Sequence, residues 1–179
     1  APLSGPYGLD AVDAFTAGAV GEPGARVFFL QVSRGSSLIS VKCEKEQVAA
    51  VAQHLGRLLN DLPAPAAAPA DLALQFTEPD DVAFVLGPVG LGYDRDNDRL
   101  VLRMEEVIAV DENGDPIDDP DDPDDPLADE RGAVRVMITR EQAHAFCRQA
   151  IEVVTAGRPP CRWCARPVEP EGHVCPRMN

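Results

Sequence analysis

The stretch Phe15-Thr16-Ala17-Gly18-Ala19-Val20-Gly21 returns later as Phe84-Val85-Leu86-Gly87-Pro88-Val89-Gly90, so the pattern F-x-x-G-x-V-G occurs twice. A second pair follows in the same order. Val41-Lys42-Cys43-Glu44-Lys45-Glu46-Gln47 is matched by Val136-Met137-Ile138-Thr139-Arg140-Glu141-Gln142, with a basic residue, Glu and Gln in register. At the same offset Val48, Val51, Ala52, Leu55, Leu58 and Leu59 meet Ala143, Phe146, Cys147, Ala150, Val153 and Val154. Every pair is apolar, and the spacing places each set on one face of a helix. Two motifs and one stripe in the same order are the mark of a duplicated unit.

Working outward, the first unit reads as three strands and a helix. Strands are expected over 15–21, 26–33 and 38–43, separated by turns at Glu22-Pro23-Gly24 and Arg34-Gly35-Ser36. The helical stripe runs on to Leu62 and Pro63 stops it. The second unit has strands near 83–92, 99–108 and 133–138, and Thr139 with Gln142 makes a capping-box start for its helix. From the strand motif to the helix start the second unit is longer by 26 residues, mostly an acidic insertion.

The fold class expected is α+β: duplicated βββα units with antiparallel sheets and one helix each, plus a short C-terminal zinc-ribbon-like knuckle. The boundaries are 14–62 for the first unit, 63–81 for a Pro/Ala-rich linker, 82–156 for the second unit with its acidic insertion at 109–131, and 157–179 for the knuckle. Residues 1–13 are expected to be mobile.

At 179 residues and 45% hydrophobic content the chain suits one domain or two small ones with a real core. Net charge is −14, but Asp111 to Glu130 holds eleven acidic residues and no basic one. Removing those eleven leaves −3, so the body is nearly balanced. The insertion reads as a solvated acidic loop. Its opening, Asp111-Glu112-Asn113-Gly114-Asp115, resembles a calcium loop, but Pro116 stands where that loop needs glycine.

No apolar run approaches the roughly 18 residues of a spanning helix. Ala1 to Asp13 shows neither a basic n-region nor an apolar core, so no signal peptide is expected there. Five cysteines in this pattern fit a reducing cytoplasm better than a disulfide scaffold.

The chemistry concentrates at the C-terminal end. Cys161-Arg162-Trp163-Cys164 is followed, after eight residues, by His173-Val174-Cys175. A C-x2-C turn supplies two thiolates, and a second turn between Gly172 and Pro176 supplies His173 and Cys175. The Cys3His set Cys161, Cys164, His173 and Cys175 closes a tetrahedral shell, which favours structural Zn2+ over catalysis. A redox C-x-x-C opens a helix after a strand, whereas Pro159 and Pro160 precede this one. Metal binding would supply folding energy on the order of 10 kcal/mol to a segment too short to build a core.

Other reactive residues fall under the repeat. Cys43 aligns with Ile138 and Cys147 with Ala52, so both are expected in the core. His54 and His144 lie off the apolar stripes and are expected to face solvent. Asp94, Asp96 and Asp98 could serve an unrecognised carboxylate enzyme, but they read first as a hairpin turn. No phosphate-binding loop, G-x-S-x-G or H-E-x-x-H is present.

A wider set of residues carries a resemblance: Gly21-Glu22-Pro23-Gly24 with Arg26 and Phe28-Phe29-Leu30-Gln31, Glu44-Lys45-Glu46-Gln47, Gly90-Leu91-Gly92-Tyr93-Asp94, and Ala156 through Arg177. Over nearly its whole length the chain resembles an uncharacterised actinobacterial domain-of-unknown-function family with a C-terminal CxxC...HxC motif. The resemblance implies a cytoplasmic bacterial protein and no transferable activity. The doubled βββα outline is also similar to single-stranded nucleic-acid binders of the Pur-alpha and Whirly type.

Three functions are expected in descending order. The first is a zinc-binding, non-catalytic protein-interaction or adaptor module with a protein partner, its acidic loop steering association. The second is a nucleic-acid binder in which Arg158, Arg162, Arg166 and Arg177 surround the metal ligands and Trp163 stacks on a base. The third is the carboxylate enzyme.

Overall fold

One face of the strands carries a row of apolar residues that is buried under two helices. The computed structural model describes residues 6–64, 72–108, 111–113, 131–156, 161–164, 168 and 174–177. The strands are β1 (Pro6–Leu9), β2 (Ala14–Val20), β3 (Val27–Arg34), β4 (Ser37–Cys43), β5 (Phe84–Asp94), β6 (Arg99–Glu106) and β7 (Ala133–Ile138). Helix α1 (Lys45–Asp61) follows β4 and α2 (Arg140–Thr155) follows β7.

All seven strands form one sheet in the order β1-β7-β6-β5-β4-β3-β2. Pairing is antiparallel within β2-β3-β4 and within β5-β6-β7. The two groups join through β4 and β5, which run parallel and pair only at Val41 with Phe84 and Lys42 with Val85. The expectation of purely antiparallel sheets is therefore corrected. A crossover helix, α1, lies between β4 and β5, and such a connection brings the second strand back parallel.

The expectation of a mobile segment over residues 1–13 is also corrected from residue 6 onward, residues 1–5 lying outside the described residues. Residues 6–9 form β1, which pairs parallel to β7, with Leu9 opposite Val136. Leu9 is buried. β1 and β2 stand at opposite ends of the strand order but are separated by only residues 10–13. Because the chain rises at most about 3.3–3.6 Å per residue, this short link requires the sheet to curl until its ends approach.

Phe15, Ala17, Leu30, Val32, Val41, Leu86, Leu100, Leu102, Val134 and Val136 line the concave face and are buried. Val48, Val51 and Leu55 of α1 and Ala143, Phe146 and Ala150 of α2 fill it. The Phe15 and Phe146 rings stack with centroids 4.4 Å apart. An irregularity between Leu86 and Val89 shifts the alternation, so Val89, Leu91 and Tyr93 turn toward the core where Phe84 and Leu86 did before them.

The start of α1 is tied to β5, and the start of α2 to the link that leads into β2. The Gln47 side chain accepts from the Glu44 amide at 2.9 Å and donates to the Leu86 carbonyl at 3.1 Å. The Gln142 side chain accepts from the Thr139 amide at 2.9 Å and donates to the Val12 carbonyl at 2.8 Å. Thr139 Oγ1 in turn accepts from the Gln142 amide, closing the capping box expected there. The helices meet where Cys147 Sγ donates to the Ala52 carbonyl at 3.4 Å.

Residues 72–83, most of them in the span expected to be a linker, carry no helix or strand, yet they pack on the sheet. Arg148 donates to the Leu72 carbonyl on the flank of α2. Phe76 then lies on the opposite sheet face, against Phe29 and directly over Gly18, where any side chain would collide with its ring. Gln31 accepts from the Thr77 amide and donates to the Thr77 carbonyl. Gly87, at the matching place in the second motif, admits the Val107 backbone in the same way: a Cβ there would stand 2.7 Å from Val107 Cα.

Candidate metal centre

The tight turn Cys161-Arg162-Trp163-Cys164 presents two thiols to one side, and the turn after Val174 brings in a third. The sulfurs of Cys161, Cys164 and Cys175 all lie within 4.8 Å of one another. Cys161 Sγ and Cys175 Sγ are 3.9 Å apart. Three thiolates around a tetrahedral ion at about 2.3 Å would be separated by about 3.8 Å. A disulfide needs about 2.05 Å. The triad therefore has the spacing of metal ligands, and these three cysteines could hold a metal ion. Cys175 is buried, and Cys161 and Cys164 are partly so.

The local backbone favours a thiolate at Cys161. Amide hydrogen bonds from Trp163 and Cys164 lower the Cys161 pKa, the Trp163 amide lying 3.5 Å from its sulfur. At Cys175 the Arg177 amide acts in the same direction, but burial and the neighbouring thiols of Cys164 and Cys161 leave the pKa raised. Three thiols this close cannot all ionise cheaply without a cation between them. His173, the fourth ligand expected, lies outside the described residues.

Trp163 does not cover the cluster; it is 53% exposed. Arg162 sits over its ring with Cζ 5.7 Å from the centroid, and Arg177 donates to its carbonyl at 3.2 Å. An exposed aromatic ring with one guanidinium over it and a second on its backbone carbonyl thus stands beside the thiol cluster. Arg158 and Arg166 lie outside the described residues.

The remaining cysteines and histidines sit apart. Cys43 is buried, and desolvation pushes its thiol up to about 12. Cys147 is raised by burial as well. Both fit core packing and neither has the depressed pKa of a nucleophile. His54 and His144 are exposed on their helices.

The three aspartates of the β5–β6 hairpin do not converge. Asp94 accepts from the Asp96 and Asn97 amides and from the Asn97 side chain, which hold its pKa down. Asp98, at φ 50, accepts from the Tyr93 hydroxyl at 2.7 Å and from Arg140 Nε at 2.8 Å. These two partners lower the Asp98 pKa. Arg140 also donates to the Pro63 carbonyl at 2.6 Å, so the hairpin is fastened to the ends of both helices. The Tyr93–Asp98–Arg140 cluster is not legible in the sequence, since its members come from a hairpin and a helix start far apart along the chain. The part of the calcium-like loop that is described, Asp111 to Asn113, is a turn in which Asp111 accepts from the Asn113 amide; Gly114 to Glu130 lie outside the described residues.

Among the described residues no helix is long and apolar enough to cross a membrane. A family described as "Protein of unknown function (DUF3090)" matches residues 7–175, which spans the sheet, both helices and all three clustered cysteines. No curated protein and no solved structure matches the chain.

Proposed function

We propose that this chain, which belongs to the DUF3090 family, is a non-catalytic protein-interaction module whose C-terminal tail folds around one structural zinc ion. The observation that carries the reading is the thiol triad of Cys161, Cys164 and Cys175, with all sulfurs within 4.8 Å. An all-sulfur set of three selects a soft or borderline ion, and Zn2+ is the one that takes thiolates and imidazole in a closed tetrahedron. His173 is the fourth ligand in this proposal, because it precedes Cys175 by two residues. A shell closed by four protein ligands leaves no site for substrate and makes the ion a fastener.

The body is proposed to be a duplication of one βββα unit. The matched glutamines support this: Gln47 and Gln142 each cap their own helix and reach across from it, Gln47 to β5 and Gln142 to the link that leads into β2. So do the matched Ala52 and Cys147, which touch each other at the helix contact, as a two-fold relation between the units would require. A cytoplasmic, actinobacterial setting belongs to the same proposal and rests on the sequence resemblance and on five cysteines outside any disulfide.

Exposed Trp163, with Arg162 over its ring and Arg177 on its backbone carbonyl, favours a second reading, in which the knuckle binds single-stranded nucleic acid by stacking and charge. The two readings part in a pull-down from lysate with and without nuclease. The first predicts a defined protein that stays bound after nuclease and is lost in Cys161→Ser. Binding of RNA or DNA by the purified chain, weakening steeply with salt and lost in Trp163→Ala, would replace it with the second.

A further inference from the structure

The matched grooves on the two helices are in different states. On α2, Ala145 and Gln149 line a groove of about 330 Å³ whose other wall is the chain's own extended segment Leu72-Ala73-Leu74. Ala145 is 2% exposed there, and Arg148 holds the segment by donating to the Leu72 carbonyl. On α1 the matched residues are Ala50 and His54, and both are exposed. They line an open groove of about 350 Å³ with Val51 of α1 and Gly87, Val89 and Leu91 of β5.

The wall of this groove is a strand edge. β4 pairs with β5 only at Phe84 and Val85, while β5 continues to Asp94. The Gln47 side chain covers the Leu86 and Gly87 carbonyls. Beyond them, among the described residues, no strand pairs with β5 on the side away from β6. An apolar floor beside an open strand edge is the arrangement that takes up an extended peptide, with main-chain hydrogen bonds for affinity and small pockets for side chains.

We propose that the groove between α1 and β5 is a docking site for an extended, apolar peptide segment of a partner protein. The occupant's chemistry is read from the other groove, where the chain lays its own Leu-Ala-Leu segment against the matched helix face. The same small alanine is available at Ala50, and Gln53 stands where Arg148 holds the Leu72 carbonyl. The proposal rests on the interaction reading and on the duplicated unit, and it supplies the surface that reading lacks.

The probe is a fluorescein-labelled peptide carrying residues 72–79, added to the full-length chain and followed by anisotropy. The chain's own copy walls the α2 groove but leaves about 330 Å³ there, so the site of saturable binding is assigned by the Ala50 variant and by the resonances that move. Ala50→Arg should weaken binding at least tenfold, with an unchanged circular dichroism spectrum, since Ala50 is on the surface. In the unsubstituted chain, amide resonances of Ala50–His54 and Val89–Leu91 should shift on titration, which keeps the test valid if the variant folds poorly. No saturation, or equal binding by Ala50→Arg with unmoved Val89–Leu91 resonances, would overturn the groove. A partner protein bound equally by the unsubstituted chain and by Ala50→Arg, but lost in Cys161→Ser, would overturn it too while leaving the interaction reading intact.

Discussion

Ala145 and Ala50 hold matched places on α2 and α1, yet one is buried and the other exposed. Phe15 stacks on Phe146 in one half, whereas in the other Phe84 is matched to a helix that offers Val51 at that place. Residues 72–77 pack on β2 and the α2 flank, whereas over β5 the matched Gly87 meets the Val107 backbone, and among the described residues no connecting segment lines the groove between α1 and β5. Similar strands and helices thus give one helix flank walled by a connecting segment and one without such a wall. The difference lies in connecting segments, whose sequence is not repeated. If the proposed duplication holds, the flank without that wall is the place to look for a partner.

The contrast can be broken most forcefully in the core. Phe15→Ala should destabilise the chain by about 3–5 kcal/mol, and Phe84→Ala by about 1 kcal/mol less because no ring stack is lost. Urea unfolding of both variants measures the gap; equal losses would remove the asymmetry.

Alkaline pH gives the next effect. Cys43 is matched to Ile138, so only the first half carries a buried thiol on its third strand. With its pKa pushed up to about 12, the folded chain keeps this proton after the unfolded chain has lost it. Its contribution is fully present below about pH 9 and falls away as pH rises from there toward 12. The loss should approach roughly 4 kcal/mol across that window, because each tenfold change in proton affinity is worth about 1.4 kcal/mol. Cys43→Val should flatten the slope by that amount in denaturant titrations at stepped pH.

Smaller effects sharpen the comparison. Gln142→Ala strands the buried Val12 carbonyl and should cost about 1–3 kcal/mol. Gln47→Ala acts at a partly exposed site and should cost about 1 kcal/mol. Phe76→Ala should cost about 1–2 kcal/mol, as a half-buried ring loses its seat on Gly18. Its distinguishing sign is faster amide exchange along β2 with β5 unaffected.

Much of this architecture is legible in the sequence because it is written in local patterns. Apolar runs bounded by turn residues, together with the repeated motifs, mark β2 to β7 within one or two residues, and the stripes from Val48 and Ala143 mark both helices. Pro63 and the Thr139–Gln142 box mark helix ends. The features that local patterns do not carry depend on partners distant in sequence. β1 is four residues with a proline and a glycine, and only its parallel pairing to β7 makes it a strand. The packing of Phe76 is visible only beside Gly18; in the sequence the motif glycine marks a repeat and gives no sign that it makes room for a ring. Of the candidate metal ligands, the C-x2-C spacing and Cys175 are legible because thiol chemistry and turn geometry are both local. The exposure of Trp163 is not, since its pattern does not say which side of a small turn faces out.

The most direct test is native mass spectrometry of the full-length chain, purified under reducing conditions without added metal, before and after chelation. The expected result is one zinc per chain, removed by chelator and absent in Cys161→Ser, with the sheet's circular dichroism unchanged. A metal-free chain, or one lighter by two hydrogens through a Cys161–Cys164 disulfide, would contradict the metal centre and return those cysteines to thiol redox chemistry.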